Sequence, residues 1–407
     1  MMFNENWIGL AGFAALLGLV LRQEGLLAIA ILVLVAAAAG WLWNKYCLSQ
    51  VQYTRTFTER RAFLGETIDL QLQVTNRKFL PIAWLKIEDE CPLQVTMLDA
   101  EVQPSTKPDV GLLSNLVSLR WFERVKWQYR LRCDARGFFA FGPTHLQSGD
   151  LFGLFHSQSD SAELDWLIIY PEVKPIEVLT LPPKEPFGEI KARQRIFEDP
   201  SRAVGIRDYQ AEDALKRIHW KATARRQRLQ IKVYEPTTAF QLVIFLNMVT
   251  LPKHWQGTIP ELLERLVSVA ASVANYATEK RFQVGLLANG CWPQSDQPLK
   301  VLPSRSPDQL MHILEALAAV SALPTISIEE LLNQESARLP WGATLAVVTA
   351  VVTEELLVVM TRLQAAGRRM VLVRLDDTPL PFEVPKITVH RVVDLGQAFG
   401  LETEGRP

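Results

Sequence analysis

The chain has only four cysteines in 407 residues, Cys47, Cys91, Cys133 and Cys291. They lie far apart and form no C-x-x-C pair, which argues against a zinc site and against a small disulfide scaffold. Reduced thiols in a cytosolic compartment are the expectation. An excess of one charge is also missing: 43 Lys and Arg against 44 Asp and Glu leave a net charge of −1. The protein as a whole is therefore neither a polyanion binder nor an acidic tail. No G-x-x-x-x-G-K-[ST] loop and no G-x-S-x-G elbow occurs, which speaks against P-loop nucleotide hydrolysis and α/β-hydrolase chemistry. The six histidines, His145, His156, His219, His254, His312 and His390, are scattered, and none stands in an H-E-x-x-H spacing. Only His219, beside Trp220, has a charged context, and pairing with a nearby carboxylate is the preferred reading over catalysis.

What the sequence does have is long apolar runs at its beginning. Trp7 to Leu21 is apolar, Arg22-Gln23-Glu24-Gly25 interrupts, and Leu26 to Trp43 is apolar again. As helix the second run would be about 27 Å long, close to the hydrocarbon thickness of a bilayer. Trp7, Trp41 and Trp43 stand where interfacial aromatics belong. The expectation is a two-helix transmembrane hairpin over 1–48. No Lys or Arg precedes Trp7 and the loop holds only Arg22, whereas Lys45, Arg55, Arg60 and Arg61 follow the second run. That asymmetry places the N-terminus and the large C-terminal part in the cytoplasm, with the protein integral to the inner (plasma) membrane.

The remainder reads as two soluble parts. Over 49–168 the hydrophobic period is two. In Thr67–Thr75, Ile68, Leu70, Leu72 and Val74 alternate with polar residues, and Val125–Cys133 behaves likewise. Five to seven short antiparallel strands without helix suggest a β-sandwich, a spacer or interaction module with no catalytic cluster. Prolines 171, 175, 182, 183 and 186 mark a linker, which with the segment after it fills 169–236. Over 237–407 strands and helices alternate. Strands are expected at Phe240–Leu246, Phe282–Ala288, Leu345–Thr349 and Met370–Leu375. Helices are expected at Glu261–Lys280, at Pro307–Val320 with Pro at its start, and at Glu354–Ala366 closed by Gly367. This alternation implies an α/β, Rossmann-like domain with a mainly parallel sheet and helices on both faces. Asp376-Asp377 follows a strand, where open α/β sheets bind ligands, though an exposed acidic turn is the simpler reading.

The densest chemistry lies between Gly205 and Glu235. Arg207, Tyr209, Asp213, Arg217, Trp220, Arg225, Lys232 and Glu235 crowd one short segment, and 191–232 holds twelve Lys or Arg against five Asp or Glu. Tyr209, Ile218 and Trp220 are expected to need burial, so the segment should be pinned by ion pairs and an aromatic plug. Two roles are open. Arg207, Asp213, Arg217 and Arg225 could staple it to a sheet edge, or its free face could dock a partner. Lys216, Lys221, Arg226 and Arg228 are spare positive charges that anionic lipid or nucleic acid could meet.

These residues, together with Ile218, Thr223 and Ala224, resemble the signature of the domain-of-unknown-function 58 family, with Glu212 where that family usually has Gly. Arg136-Gly137-Phe138 through Gly149-Asp150-Leu151-Phe152-Gly153-Leu154-Phe155 resembles its RGxY…DPFGLF block, with Leu151 in place of Pro. Ile168-Ile169-Tyr170-Pro171 resembles its VYP element. The resemblance implies a von Willebrand factor type A-like C-terminal domain and a partner of the MoxR type, an AAA+ ATPase. Type A domains often hold a divalent metal on a D-x-S-x-S motif with later Thr and Asp ligands. Here Asn247, Val249 and Leu251 replace those first ligands, and Ala350 stands where an Asp would be wanted. Two aliphatic side chains and a neutral amide are a poor shell for a hard cation, so no metal and no cofactor are expected. The implied function is a non-enzymatic, membrane-anchored adaptor or assembly factor with no nucleic-acid partner. The alternative is a cytoplasmic-face scaffold, or a basic platform for anionic lipid or nucleic acid, without an ATPase.

Overall fold

The computed structural model describes residues 12, 13, 16, 20, 24–150, 155–176, 198–210, 218–236, 240–252, 257–293, 295–340, 342–382, 384, 386–394 and 399–404. The first apolar run, Trp7–Leu21, lies almost wholly outside them, so the hairpin expectation is met only by its second helix. The chain divides into two compact units, Met1–Glu172 with Leu317–Ala319, and Val173–Ala316 with Val320–Pro407.

The first unit opens with α1 (Glu24–Cys47). It runs past the expected Leu26–Trp43 at both ends because neither Glu24 nor Asn44-Lys45 breaks a helix. Ala28–Cys47 is long and apolar enough to cross a membrane, with a mean hydropathy of 1.7, a test that an N-terminal signal sequence also passes. Gly40 lets the helix approach the rest of the unit. A Cβ there would sit 3.1 Å from Asp150 Oδ2 and 3.4 Å from the Phe155 ring. Lys78 Nζ reaches the other end, donating to the carbonyls of Cys47 and of Ser49, the latter at 2.6 Å. A cation on the last turn of a helix satisfies an orphan carbonyl and complements the helix dipole.

Among the described residues twelve strands follow: β1 (Val51–Phe57), β2 (Arg61–Phe63), β3 (Thr67–Asn76), β4 (Ile82–Pro92), β5 (Val95–Met97), β6 (Gln103–Pro104), β7 (Val110–Leu119), β8 (Arg124–Cys133), β9 (Gly137–Phe141), β10 (Thr144–Gly149), β11 (His156–Ser161) and β12 (Asp165–Tyr170). Twelve exceeds the expected five to seven because several, such as β2, β5 and β6, are too short to show a period in sequence. They form sheets ordered β1-β3-β8-β5, β11-β10-β4-β7-β6 and β2-β12-β9, antiparallel except for β2 against β12. The expectation of a β-sandwich is met at the level of several antiparallel sheets. The alternation read from sequence sets the register: Ile68 pairs with Leu131, Leu70 with Tyr129, Leu72 with Trp127. The inward residues of β3 join Phe141, Leu167 and Ile169 in one apolar cluster. A buried ion pair crosses this unit. Arg55 Nη1 meets Asp89 Oδ1 at 2.9 Å and its Nε meets Asp165 at 3.1 Å, while Asp89 also accepts from Tyr53 and Thr144.

The second unit begins with a two-stranded ribbon, β13 (Glu198–Asp208) and β14 (Gln230–Pro236), with α2 (Trp220–Arg226) between them. Then come β15 (Gln241–Leu246), α3 (Pro260–Glu279), β16 (Gln283–Cys291), β17 (Pro298–Ser304), α4 (Gln309–Ala319), α5 (Ile328–Ser336), β18 (Thr344–Thr349), α6 (Glu354–Ala365), β19 (Arg369–Arg374), β20 (Thr388–Asp394) and β21 (Phe399–Glu404). The sheet order is β17-β16-β15-β18-β19-β20-β21. The five inner strands run parallel, and the two edges are antiparallel. One face carries α5 and α6, whose Leu331, Leu332, Leu356 and Met360 pack with Val243, Phe245, Leu345 and Leu372. The alternate residues Leu242, Ile244, Ala346 and Val371 are equally buried and point the other way. The buried side of α3 falls outside that first cluster while packing on β15, β16 and β18. This is the mixed α/β sheet that alternation implied. Pro307 stands before the N-cap of α4, Asp308, so it precedes the helix and does not start it. Gly367 closes α6 at φ +91°, as its position suggested. α5 was missed, although Ser327 accepting from the Glu330 amide is an N-cap that S-x-x-E announces.

Candidate functional sites

The signature segment folds as the ribbon and its inserted helix. Asp213, Arg217 and Lys216 lie outside the described residues, and so does the staple expected between Arg217 and Asp213. For Lys232 and Glu235 the backbone alone is described, within β14, with Lys232 opposite Ile206. The segment is held by short polar side chains on backbone groups. His219 is the N-cap of α2, its Nδ1 accepting from Ala222 N at 3.1 Å, and its own N–H donates to Gln230 O at 2.8 Å. The carboxylate expected for His219 is thus replaced by a backbone donor, because the residue sits where a helix leaves orphan N–H groups. Thr223 Oγ1 accepts from Gln230 N at 3.0 Å, and the buried Gln230 amide donates to Asp208 Oδ1. Gln227 ends the helix at φ +52°. Sequence reading missed Asp208, Gln227 and Gln230; a polar residue at the end of a strand or helix gives no such signal by itself.

The aromatic plug is corrected. Trp220 is 69% exposed. It occupies the first helical position, and the side of α2 that meets the ribbon is Ala222. Contact with β14 is made by Ile218, bridged to Ile231, both buried. With that small site filled by two isoleucines, the indole is left in solvent. Tyr209 is half-buried, its N–H bonded to Leu229 O at 2.9 Å. Around Trp220 the exposed residues are Lys221, Arg225, Arg226, Arg228 and Leu229, with Ile206 exposed on β13 and Arg207 bonded to its neighbour's carbonyl. The outcome is a short helix and turn with four exposed cations and an exposed indole, tied to the ribbon by His219, Thr223 and Ile218.

The second place is the C-terminal edge of the sheet between β15 and β18, where strand order reverses and open α/β sheets place their ligands. A cleft of ≈ 600 Å³ opens there, lined by Asn247, Val249, Ile326, Val351, Thr353 and Glu329 among others. Its floor is a neutral, closed hydrogen-bond network. Asn247 Nδ2 donates to Thr349 Oγ1 at 3.0 Å, and its Oδ1 accepts from Asn289 Nδ2 at 3.0 Å and from Val249 N at 3.2 Å. Asn289 Oδ1 accepts from Met248 N, and the Thr349 hydroxyl donates to Val351 O. The lone pairs a cation would need are already engaged. Val249 and Leu251 are half-buried aliphatics, and Ala350 is buried. The donor set does not fit the divalent metal of type A domains. Glu329 accepts from Thr353 at 3.0 Å, and these two line the cleft with Thr325, Ser327 and Glu355, polar residues that sequence reading passed over, as it did Asn289 and Thr349 beneath them. Asp376 lies 3.6 Å from Arg374, and Asp377 is 2.9 Å from Arg391, so the acidic turn is paired with cations.

His145 Nδ1 lies 2.8 Å from Asp160, which raises its pKa from the ordinary value. Burial pushes the Cys91 thiol up to about 12 and the Cys133 thiol up to about 11. All four cysteines are free, three of them buried. A thiol so shifted is a poor nucleophile.

Comparison with known proteins gives a family match over the C-terminal part of the chain and no activity. Residues 205–404 match the family described as protein of unknown function DUF58. The match spans the ribbon and the α/β sheet together. An uncharacterized protein of Bacillus subtilis (strain 168), YeaD, is 24% identical over 318 residues, 77% of this chain and 73% of its own length. Among solved structures, a cohesin module from a Clostridium perfringens ATCC13124 family 33 glycoside hydrolase overlaps 29% of this chain and 96% of its own, at 12% identity and a TM-score of 0.21. The sporulation control protein Spo0M of Bacillus subtilis overlaps 30% of this chain and 50% of its own, at 10% identity and a TM-score of 0.19. Overlaps this weak carry no argument about the fold.

Proposed function

We propose that this protein is a membrane-anchored, non-enzymatic adaptor whose ribbon docks a protein partner. By family resemblance that partner is an AAA+ ATPase of the MoxR type. The observation that carries the reading is Trp220. An indole 69% exposed, on a short helix whose other exposed residues include Lys221, Arg225 and Arg226, is not part of the core that its residue type would predict. Trp and Arg are the residues most often found at the energetic centre of an interface. A tryptophan buries up to about 150–250 Å², so covering its free surface at about 25 cal/mol per Å² would contribute roughly 2.5–4 kcal/mol. The type A-like domain adds the cleft at the sheet edge, whose neutral floor suits contact with a protein better than chemistry. In this reading α1 holds the protein in the inner membrane, and the soluble units face the cytoplasm beside Lys45.

The test is recovery of partners from native membranes with the full chain as bait, with and without ATP. Nucleotide-dependent capture of an AAA+ protein by the wild type, lost with Trp220→Ala and with Lys221→Glu/Arg226→Glu, is the expected result. Salt-sensitive capture of anionic lipid or nucleic acid in its place would favour the basic platform. A fluorescent protein fused after Pro407 should glow, and a periplasmic phosphatase there should be silent. The reverse pattern would overturn both the orientation and the ATPase partnership.

A further inference from the structure

The first unit exposes an aromatic group with no role in its core. Phe79 is 78% exposed, Trp121 62% and Phe122 60%. They sit on two turns, one between β3 and β4, the other between β7 and β8, and they touch. The Phe79 ring centre is 5.3 Å from Phe122, edge to face, and 6.5 Å from Trp121. Together they leave roughly 300–500 Å² of aromatic surface in solvent, a patch as large as the largest on an ordinary soluble protein.

The turns are built to present these rings. Asn76, fully buried, donates to Leu80 O at 3.0 Å and to Arg120 O at 2.9 Å, tying the two turns together. Phe122 N donates to Lys78 O. Phe122 adopts φ +53°, a conformation that Gly or Asn reaches more cheaply than a bulky aromatic. Local backbone needs therefore do not explain a phenylalanine here.

Position supplies the explanation. Lys78, the residue before Phe79, donates to the carbonyls of Cys47 and Ser49, so the aromatic turns lie against the C-terminal end of α1. From Trp43 to Cys47 the helix rises about 6 Å, within the roughly 5–8 Å of headgroup region on each side of a bilayer. The same end carries the exposed Trp41 and Tyr46, with Lys45 Nζ 5.4 Å from the Trp41 ring centre and 5.8 Å from that of Tyr46. Arg77, Arg120 and Arg124 are exposed around the turns. Aromatic rings with neighbouring cations, at the exit of an apolar helix, are the chemistry that the interface of an anionic bilayer takes up.

We infer that Phe79, Trp121 and Phe122 insert into the headgroup region of an anionic membrane and seat the β-rich unit against it. α1 would then be one of two attachments. Two points of contact fix how a unit faces a membrane, where a helix alone leaves it free to swivel. The inference rests on the reading that α1 crosses the membrane.

The test uses the full chain in liposomes of phosphatidylcholine and phosphatidylglycerol, in a Cys291→Ser background. Nitroxide labels are placed by Phe79→Cys, Trp121→Cys and Phe122→Cys, and as a control by Thr106→Cys. Thr106 is exposed before the start of β7, a strand whose ten residues span about 33 Å and end next to the aromatic turns. The ratio of oxygen to nickel-chelate collisions should be severalfold higher at the three aromatic positions than at Thr106. In the unsubstituted chain, amide exchange over 119–124 should slow on transfer from amphipol to liposomes. Carbonate extraction separates the two readings. A chain that stays in the pellet while all its labels remain in water overturns the seating and leaves the span standing. A chain released by carbonate overturns both.

Discussion

Replacing Trp220 by alanine separates a folding role from a binding role. Had the indole been a core plug, its loss would cost about 3–5 kcal/mol of stability. Exposed to 69% on a seven-residue helix, it has little left to lose on truncation. Alanine at the first helical position is at least as good a helix former, so the expected change in stability is within about 0.5 kcal/mol. Ile231→Ala is the matched control. Ile231 is 2% exposed and bridges Ile218, and its truncation should cost about 2–5 kcal/mol. The chain has two units and need not melt in one step, so the assay is amide exchange over 218–236 in the full chain, which reports the local opening free energy. Trp220→Ala should leave protection there unchanged, and Ile231→Ala should abolish most of it. Partner recovery should behave oppositely for Trp220→Ala, falling by as much as the roughly 2.5–4 kcal/mol of surface burial allows, about two to three orders of magnitude. If Trp220→Ala loosens the ribbon as much as Ile231→Ala does, the indole is packed in solution and the docking argument fails.

Further expectations concern the rest of the chain. Arg55→Ala should destabilise the β-rich unit by about 3–5 kcal/mol, because it strands the buried Asp89 without its cation; a change below about 1 kcal/mol in urea unfolding would show the pair to be hydrated. The pKa of His145 is raised first by its bond to Asp160, so its stabilising contribution is complete below the ordinary histidine value and fades as pH rises through the shifted one. Its ring resonances should therefore titrate above those of an Asp160→Asn variant, and coincident titration would remove the pairing. Calorimetry with magnesium or manganese should show no saturable site, since Asn247 Oδ1 already accepts from Asn289 and from Val249 N, and Thr349 Oγ1 accepts from Asn247 and from Val351 N; a micromolar site would refute that assignment.

How much of this was legible in the sequence depends on how local the cause is. Period-two alternation showed which residues of β3 and β8 face the core, and a slip by one residue in their pairing would turn Ile68, Leu70 and Leu72 to solvent; that the two strands are partners came from the structure. Helices α3 and α6 and four of the five parallel strands of the second unit were readable for the same reason, a buried stripe or run bounded by Pro, Gly or a capping residue, while β20 was not read. The poor donor set at Asn247, Val249, Leu251 and Ala350 was also readable, since ligand chemistry is a property of residue type. What lay beyond the sequence were distances between segments. Trp220 looked like a plug because indoles are usually buried, and only the packed ribbon shows that Ile218 and Ile231 already fill the site. The closure of Asn247 onto Asn289 and Thr349 joins three strands, and the meeting of Phe79 with Trp121 and Phe122 joins two turns 42 residues apart or more. Sequence determines what each side chain can do; which partners it meets, and whether any are left for another molecule, is decided when burial chooses among competing groups for a limited interior.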